Sequence, residues 1–297
     1  MHRIEPCAPY LPRRASDTNK YDYGRVLIVG GCVGYTGAPT LCAHAALRCG
    51  AGLVSVGVPE AIYAITAVKN DAAMPFPLPS ADGKLTADAL PELLERLRRS
   101  DVCVLGPGLG RNAALTALVQ AVVLRSETPL VLDADALNLL ATDPELFVLV
   151  CQRKDPAILT PHLVEMARLT GKSVRTISED LIDSCRSFAS QHHLICVQKD
   201  ARTVVSDGSH VFLNTTGNSG MATGGSGDVL TGILLGLLAQ RPTPFESAVA
   251  AVTLHGLAGD AAASSRSSYS MIAGDIAEQV GTVLLDAENQ TNLFQLS

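Results

Sequence analysis

The first regularity along the chain is a series of short, unbroken apolar runs rich in β-branched residues. They lie at 25–31 (RVLIVGG), 52–58 (GLVSVGV), 102–108 (VCVLGPG), 130–136 (LVLDADA) and 157–162 (AILTPH). Runs of this length without polar alternation predict strands buried on both faces. Between them stand segments of helical character, such as 38–49, 86–99, 112–124 and 164–170. That alternation predicts crossover units: a mostly parallel central sheet with helices on both faces, an α/β fold. Three later runs, 194–199, 203–208 and 210–214, are too closely spaced for crossovers and predict an antiparallel edge, with Asp207-Gly208 as a turn. Helices at 228–239, 245–263 and about 273–285 finish the chain. No tandem repeat, charge block or long Pro/Gly linker divides it, so residues 1–297 are expected to form a single domain.

Composition narrows the function classes. Apolar residues make up 47% of the 297, enough for a sizeable core. The net charge of −6, the absence of Trp and an aromatic content of 4% argue against a nucleic-acid binder, which needs basic surface and stacking platforms. Eight scattered cysteines form no C-x-x-C pair, and several sit inside apolar runs, where Cys behaves as a small hydrophobe. They are expected to be reduced, in a cytoplasmic protein. The opening MHRIEPCAPYLPRR carries no apolar signal core, and no run of roughly 18 apolar residues predicts a membrane span.

The candidate chemistry concentrates in NTTGNSGMATGGSGDVLTGILLGLLAQ, residues 214–240. A helix that is apolar nearly all round must be buried, and its first turn leaves backbone N–H groups without partners. Gly224, Gly225, Ser226 and Gly227 bring the chain sharply into that turn, where the helix dipole favours an anion. Asp228 suits simple helix capping; beside an anion cradle it also suits a base that accepts a hydroxyl proton during phosphoryl transfer. Other segments are open in the same way. GGCVGYTGAP (30–39) and GPGLGR (106–111) are either tight turns or places where backbone meets a ligand, and neither is a dinucleotide fingerprint or a P-loop. In VLDADALNLL (131–140), Asp133 and Asp135 either hold Mg2+ through water or start a helix. His162 in TPHLVE is either a satisfied polar residue or a ligand contact, and His255 lies in an apolar helix without an assigned role.

GGSGD resembles the anion-hole motif of ribokinase-like proteins. The longer TGNSGMATGGSGDVLTGILLGLLAQ is similar to the ADP- or ATP-dependent NAD(P)H-hydrate dehydratases within that superfamily. LPRRASDTNKYDYGRVLIVGG, GYTGAPTLCAHAALRCGAGLVSVGVP, LGPGLGR, VLDADALNLL, ILTPH, AVTLHGLAGDAAA and MIAGDIAEQV follow in the family's order. The resemblance implies a three-layer ribokinase-like fold and repair of hydrated NADH and NADPH. In that reaction a phosphoryl group passes from ADP (or ATP, with Mg2+) to the ring hydroxyl, and phosphate is then eliminated. It implies Asp228 as base with Gly225, Ser226 and Gly227 as the anion hole. Ala38, Gly108, His162 and Asp228 would bind substrate; Lys199, Asp200, Ala201, Arg202, Thr203 and Gly227 would bind nucleotide. The metal ligands are not assigned. A homotetramer and a separate epimerase acting on the same hydrates are implied as well. The alternative is a small-molecule kinase of the same superfamily; a non-catalytic nucleotide binder is a third reading. The chain departs from the family at Leu163-Val164, where Pro-Gly usually stands, and at Asp200, where Gly usually stands. A carboxylate near phosphates repels them unless it points into solvent.

Overall fold

Residues 14, 16–240 and 242–289 are described by a computed structural model. The expectations attached to Cys7 and to residues 1–13 lie outside the described residues.

Each early apolar run forms a strand, followed by one or more helices. β1 (Arg25–Val29) leads to α1 (Gly37–Arg48), and β2 (Leu53–Pro59) to α2 (Glu60–Lys69). β3 (Met74–Leu78) is followed by a small hairpin of β4 (Ser80–Ala81) and β5 (Lys84–Leu85), then α3 (Leu90–Arg98). β6 (Val102–Leu105) precedes α4 (Ala113–Arg125), and β7 (Leu130–Leu132) precedes α5 (Asp135–Thr142) and α6 (Pro144–Cys151). After β8 (Ile158–Leu159) come α7 (Leu163–Thr170), α8 (Val174–Glu179) and α9 (Leu181–His192). β9 (Ile195–Gln198), β10 (Val204–Ser206) and β11 (Val211–Leu213) then lead to α10 (Ser226–Ala239), α11 (Pro244–Arg266) and α12 (Ala273–Asn289).

One nine-stranded sheet runs in the order β11-β10-β9-β8-β7-β6-β1-β2-β3. It is parallel from β3 to β9, while β9, β10 and β11 pair antiparallel. The strands alternate between two apolar layers, as a period of two requires. Val26, Ile28, Val54, Val56, Val104 and Val131 face one cluster with α1, α10, α11 and α12. Leu27, Val29, Cys103, Leu105, Leu130 and Leu132 face the other, with α3 to α7 and α9. The fold is thus the expected three-layer α/β arrangement.

Two strand segments, the edge strand β3 and the separate β4–β5 ribbon, gave no clear apolar signal. β3 reads MPFPL, and its prolines are tolerated because it pairs only with β2 at the sheet edge. The β4–β5 hairpin has only two residues in each strand. The Asp207-Gly208 turn is present, with the Asp207 carboxylate accepting the N–H groups of Ser209 and His210 at 2.8 and 2.6 Å. Among the described residues the seven cysteines are free, and no helix is long and apolar enough to cross a membrane.

α10 is buried from Val229 to Ala239. Gly232 and Gly236 allow α1 to approach closely: a β-carbon there would meet the carbonyl oxygens of Cys42 and Ala46 at 2.2 and 2.7 Å. α10 begins at Ser226, two residues earlier than the pattern suggests. This sets Asp228 on the first turn.

Candidate functional site

The carboxyl edge of the sheet continues past the formal strand ends as backbone hydrogen bonds. Gly31 N–H donates to Pro107 O, Gly106 to Val29 O, Asp133 to Leu105 O, Thr160 to Leu132 O and Lys199 to Pro161 O. The residues just after β1, β6, β7, β8 and β9 are therefore held in register beside one another, at the edge where open α/β sheets bind ligands.

Above this edge stands the amino end of α10. Gly225 is its N-cap, with φ 94°, and no side chain caps it. Glycine is needed there for the left-handed backbone and also for space, since a β-carbon would stand 2.5 Å from Leu41 Cδ1 on α1. Among the described residues the amides of Gly225, Gly227 and Asp228 have no backbone acceptor. The Ser226 amide differs: it donates to Thr223 O at 3.3 Å, so it does not add to the anion cradle. The Ser226 hydroxyl instead pairs with His255 Nε2 at 3.3 Å. Burial holds His255 down at about 4, so that ring is neutral near pH 7.

Asp228 is not a capping residue. It sits three positions after the N-cap, and among the described residues its carboxylate accepts no hydrogen bond. Burial, aided by the nearby Asp133 charge and opposed by Lys199, pushes its carboxyl up to about 7. A mostly buried carboxylate without a partner on an anion-binding turn is suited to taking a proton.

Asp133 and Asp135 do not act as a pair. They face opposite ways across Ala134, which has φ 49° and ψ −115°, a conformation few non-glycine residues adopt. Asp135 starts α5 and accepts the Gly110 amide at 2.8 Å. Asp133 points under α10 and accepts from Thr160 Oγ1 at 2.6 Å, Thr231 Oγ1 at 2.7 Å and Lys199 Nζ at 2.8 Å. Burial alone would raise Asp133, but the Lys199 charge and these hydrogen bonds outweigh it and hold the carboxyl below its ordinary value. Burial likewise acts to lower Lys199, and the facing acids outweigh it. A β-carbon on Gly227 would stand 3.4 Å from Lys199 Nζ, so the ammonium lies directly at the amino end of α10. The reading of Asp133 and Asp135 as a joint Mg2+ ligand pair is thereby corrected: one is spent on Lys199, the other on a loop amide. Among the described residues no group of three or more His, Cys, Asp or Glu is arranged to hold a metal.

Most residues expected from the sequence to bind nucleotide come together around a cavity of about 810 Å³, joined by His162, expected at the substrate, and Ser226, expected in the anion hole. His162, Lys199, Asp200, Ala201, Thr203, Ser226 and Gly227 line it, together with Asn214, Met221 and His255. Arg202 is exposed and does not line it. The exposed Asp200 carboxylate accepts the Ala201 N–H at 2.8 Å, the solvent-facing placement that limits its repulsion of an anion. His162 caps α7: its Nδ1 accepts the amides of Val164 and Glu165 at 3.1 and 3.3 Å, and Glu165 Oε2 accepts the His162 amide at 2.9 Å. This reciprocal box starts the helix without the family's Pro-Gly. Burial raises Glu165 to about 7. On the substrate side, Ala38 and Gly108 are neighbours: a β-carbon on Gly108 would stand 3.3 Å from that of Ala38. His162 is placed with the nucleotide-side residues, beside Lys199.

Sequence reasoning missed the Asp133–Lys199 pair and its threonines, with Thr160, Lys199 and Thr231 standing 27, 66 and 98 residues from Asp133 along the chain. One signal was available. A Lys closing an apolar buried strand, and an Asp closing another, each require a partner of opposite charge.

With this geometry in view, the model of a family described as NAD(P)H-hydrate dehydratase matches residues 26–281. A bifunctional NAD(P)H-hydrate repair enzyme of Moorella thermoacetica is 46% identical over 287 residues, covering 96% of this chain and 53% of that protein. An ADP-dependent (S)-NAD(P)H-hydrate dehydratase of Neisseria meningitidis is 37% identical over 267 residues, covering 89% of this chain and 86% of that one. The chain spans about half the length of the bifunctional relatives. Among solved structures, an ADP/ATP-dependent NAD(P)H-hydrate dehydratase from Bacillus subtilis, co-crystallized with ATP/Mg2+, superposes with a TM-score of 0.77 at 25% identity, over 93% of this chain and 94% of that one. A ribokinase-like superfamily protein of Enterococcus faecalis superposes with a TM-score of 0.80 at 27% identity, over 96% and 92% of the two chains.

Proposed function

The chain belongs to the NAD(P)H-hydrate dehydratase family, and on that premise we propose that it restores hydrated NADH and NADPH using ADP as phosphoryl donor. The observation that carries this reading is the unpartnered, mostly buried Asp228 carboxylate beside the open amides of Gly225 and Gly227 and the Lys199 ammonium. The hydrate carries a hydroxyl on the carbon next to the ring nitrogen, and hydroxide is a poor leaving group. Asp228 takes the hydroxyl proton while that oxygen attacks the terminal phosphorus of ADP. The bond to the bridging oxygen breaks and AMP leaves. The Gly225 and Gly227 amides and Lys199 face the charge that develops on the moving phosphoryl group; one such donor is worth about 3 kcal/mol. The ring nitrogen's lone pair then expels phosphate, and loss of a proton from the adjacent carbon restores the ring double bond.

Lys199, Ala201 and Thr203 hold the nucleotide in this reading, with Asp200 and Arg202 at its solvent side; Ala38 and Gly108 position the hydrate, and His162, beside Lys199, borders the nucleotide. Among the described residues no carboxylate cluster is arranged for a metal, so Mg2+ would be held chiefly by phosphate oxygens and water. When bound, the ion neutralises phosphate charge. The reading extends to a single-domain homotetramer in the cytoplasm, working beside an epimerase for the same hydrates. The free thiols fit a reducing compartment, and the bifunctional relatives fit a second, linked activity.

The test is incubation with NADH hydrate, with and without ADP or ATP, while the dihydropyridine absorbance is followed. Recovery of absorbance with stoichiometric AMP and free phosphate is expected. A stable phosphorylated product would instead make the protein a small-molecule kinase.

A further inference from the structure

The anion-binding turn holds a cation that no local sequence feature places there. Lys199 leaves the end of β9, and its side chain is only 18% exposed. A lysine side chain is flexible and loses much rotamer entropy on being fixed. Here it is fixed by a carboxylate 2 % exposed, Asp133, at 2.8 Å. Asp133 is itself over-determined. Its Oδ1 takes Lys199 and Thr160, its Oδ2 takes Thr231, and its backbone is pinned by Gly106 and Ala136. Thr231 is on α10, one turn beyond Asp228, so the carboxylate that holds the ammonium is hydrogen-bonded to the helix whose amino end the ammonium faces.

We propose that Asp133 is a positioning residue that locks the Lys199 ammonium onto the amino end of α10, where it meets the phosphoryl group in flight. The inference rests on the phosphoryl-transfer reading above. It separates two jobs that one lysine would otherwise do loosely: the ammonium stays charged and stays in place before nucleotide arrives. It also accounts for glycine at 227, because any side chain there would stand between the ammonium and the amides. Asp133 has a second effect through space. The titratable groups that act on or feel Asp228 are Asp133 beyond β7, Lys199 beyond β9 and Cys42 on α1, while His255 on α11 meets the same turn through the Ser226 hydroxyl. Of these, Asp133 raises Asp228 and Lys199 lowers it. Neutralising Asp133 therefore removes a repelling charge and leaves the attracting one uncompensated, and both changes make Asp228 a weaker base.

The experiment is a double-mutant cycle of Asp133→Asn and Lys199→Met, with Thr231→Val as a milder second perturbation, measured as kcat, KM and pH profile for ADP-dependent hydrate repair. Thermal unfolding of each variant confirms that it is folded. Asp133→Asn is expected to lower kcat by about 100-fold with KM for the hydrate changed by less than about twofold, and to move the acid limb of the profile to lower pH. In the Lys199→Met background its cost is expected to shrink to a few-fold, the remainder being its effect on Asp228 through space. Thr231→Val, which loosens Asp133 but leaves its charge, is expected to lower kcat by a few-fold with the acid limb unmoved. An active wild type whose two losses multiply, or an Asp133→Asn enzyme with an unmoved acid limb, overturns the inference alone. A wild type that restores no cofactor overturns the phosphoryl-transfer reading and the inference with it. If Asp133→Asn does not fold, the Thr231→Val enzyme decides: an unchanged kcat overturns the inference.

Discussion

The Gly106 α-carbon lies so close to the Asp133 carbonyl that a β-carbon on Gly106 would stand 1.8 Å from that oxygen. The glycine loop after β6 thus rests directly on the peptide that carries Asp133, and Asp135 holds its far end through the Gly110 amide. The two sides of the site are joined here: Ala38 and Gly108 on one, the Lys199 lock on the other. Gly106 also has φ 133°. Gly106→Ala is therefore expected to destabilise the protein by about 3 kcal/mol or more, read as a lowered urea midpoint.

Asp228→Asn is expected to fold and to lose at least about 1,000-fold in turnover. Its stability should depend on pH in a defined direction. The Asp228 carboxyl is raised from 3.8 to about 7, chiefly by burial. The protonated form suits the fold, so that contribution is complete below the unfolded value and is lost as pH rises through about 7. Asparagine mimics the protonated form. The variant should match wild type near pH 4 and exceed it near pH 8 by about 2 kcal/mol, as measured by denaturant titration at the two pH values.

Ala134 holds φ 49° and ψ −115° between two acids that face opposite ways. Glycine adopts this backbone without a β-carbon penalty, so Ala134→Gly is expected to raise stability by about 1 kcal/mol with activity kept. Ala134→Val should lower both stability and activity. A melting temperature that falls in the glycine variant would show that the backbone there is relaxed.

Asp200 stands exposed at the lip of the nucleotide-side cavity, where the family usually has glycine. Removing its charge should tighten ADP binding. Asp200→Gly is expected to improve Kd by roughly threefold at low salt, a gain that shrinks as salt screens the site. Calorimetric titration at two ionic strengths checks it.

Much of this molecule was legible along the chain. The β-branched runs became strands because both faces of a parallel sheet are buried, which leaves a local hydrophobic signature. The α10 segment announced its burial in the same way, and its glycine entry announced an anion site. β3 was not legible, because Pro75 and Pro77 speak against a strand and only an edge position excuses them. The acids of VLDADAL were ambiguous for a related reason. Two carboxylates two residues apart share a face of any strand, and the backbone reversal at Ala134 that separates them leaves no mark in composition.

The sequence by itself determined the layer order, the glycine turn ahead of Asp228 and the residues that come to the carboxyl edge, since each follows from local backbone preference and the burial of apolar runs. Only the tertiary structure decided that Asp228 has no hydrogen-bond partner among the described residues, that Asp133 belongs to Lys199 rather than to Asp135, and that His162 caps its own helix. Those outcomes depend on which charges meet across chain separations that no periodicity encodes, and on a low-dielectric interior where an ionised group must find its opposite or change its protonation.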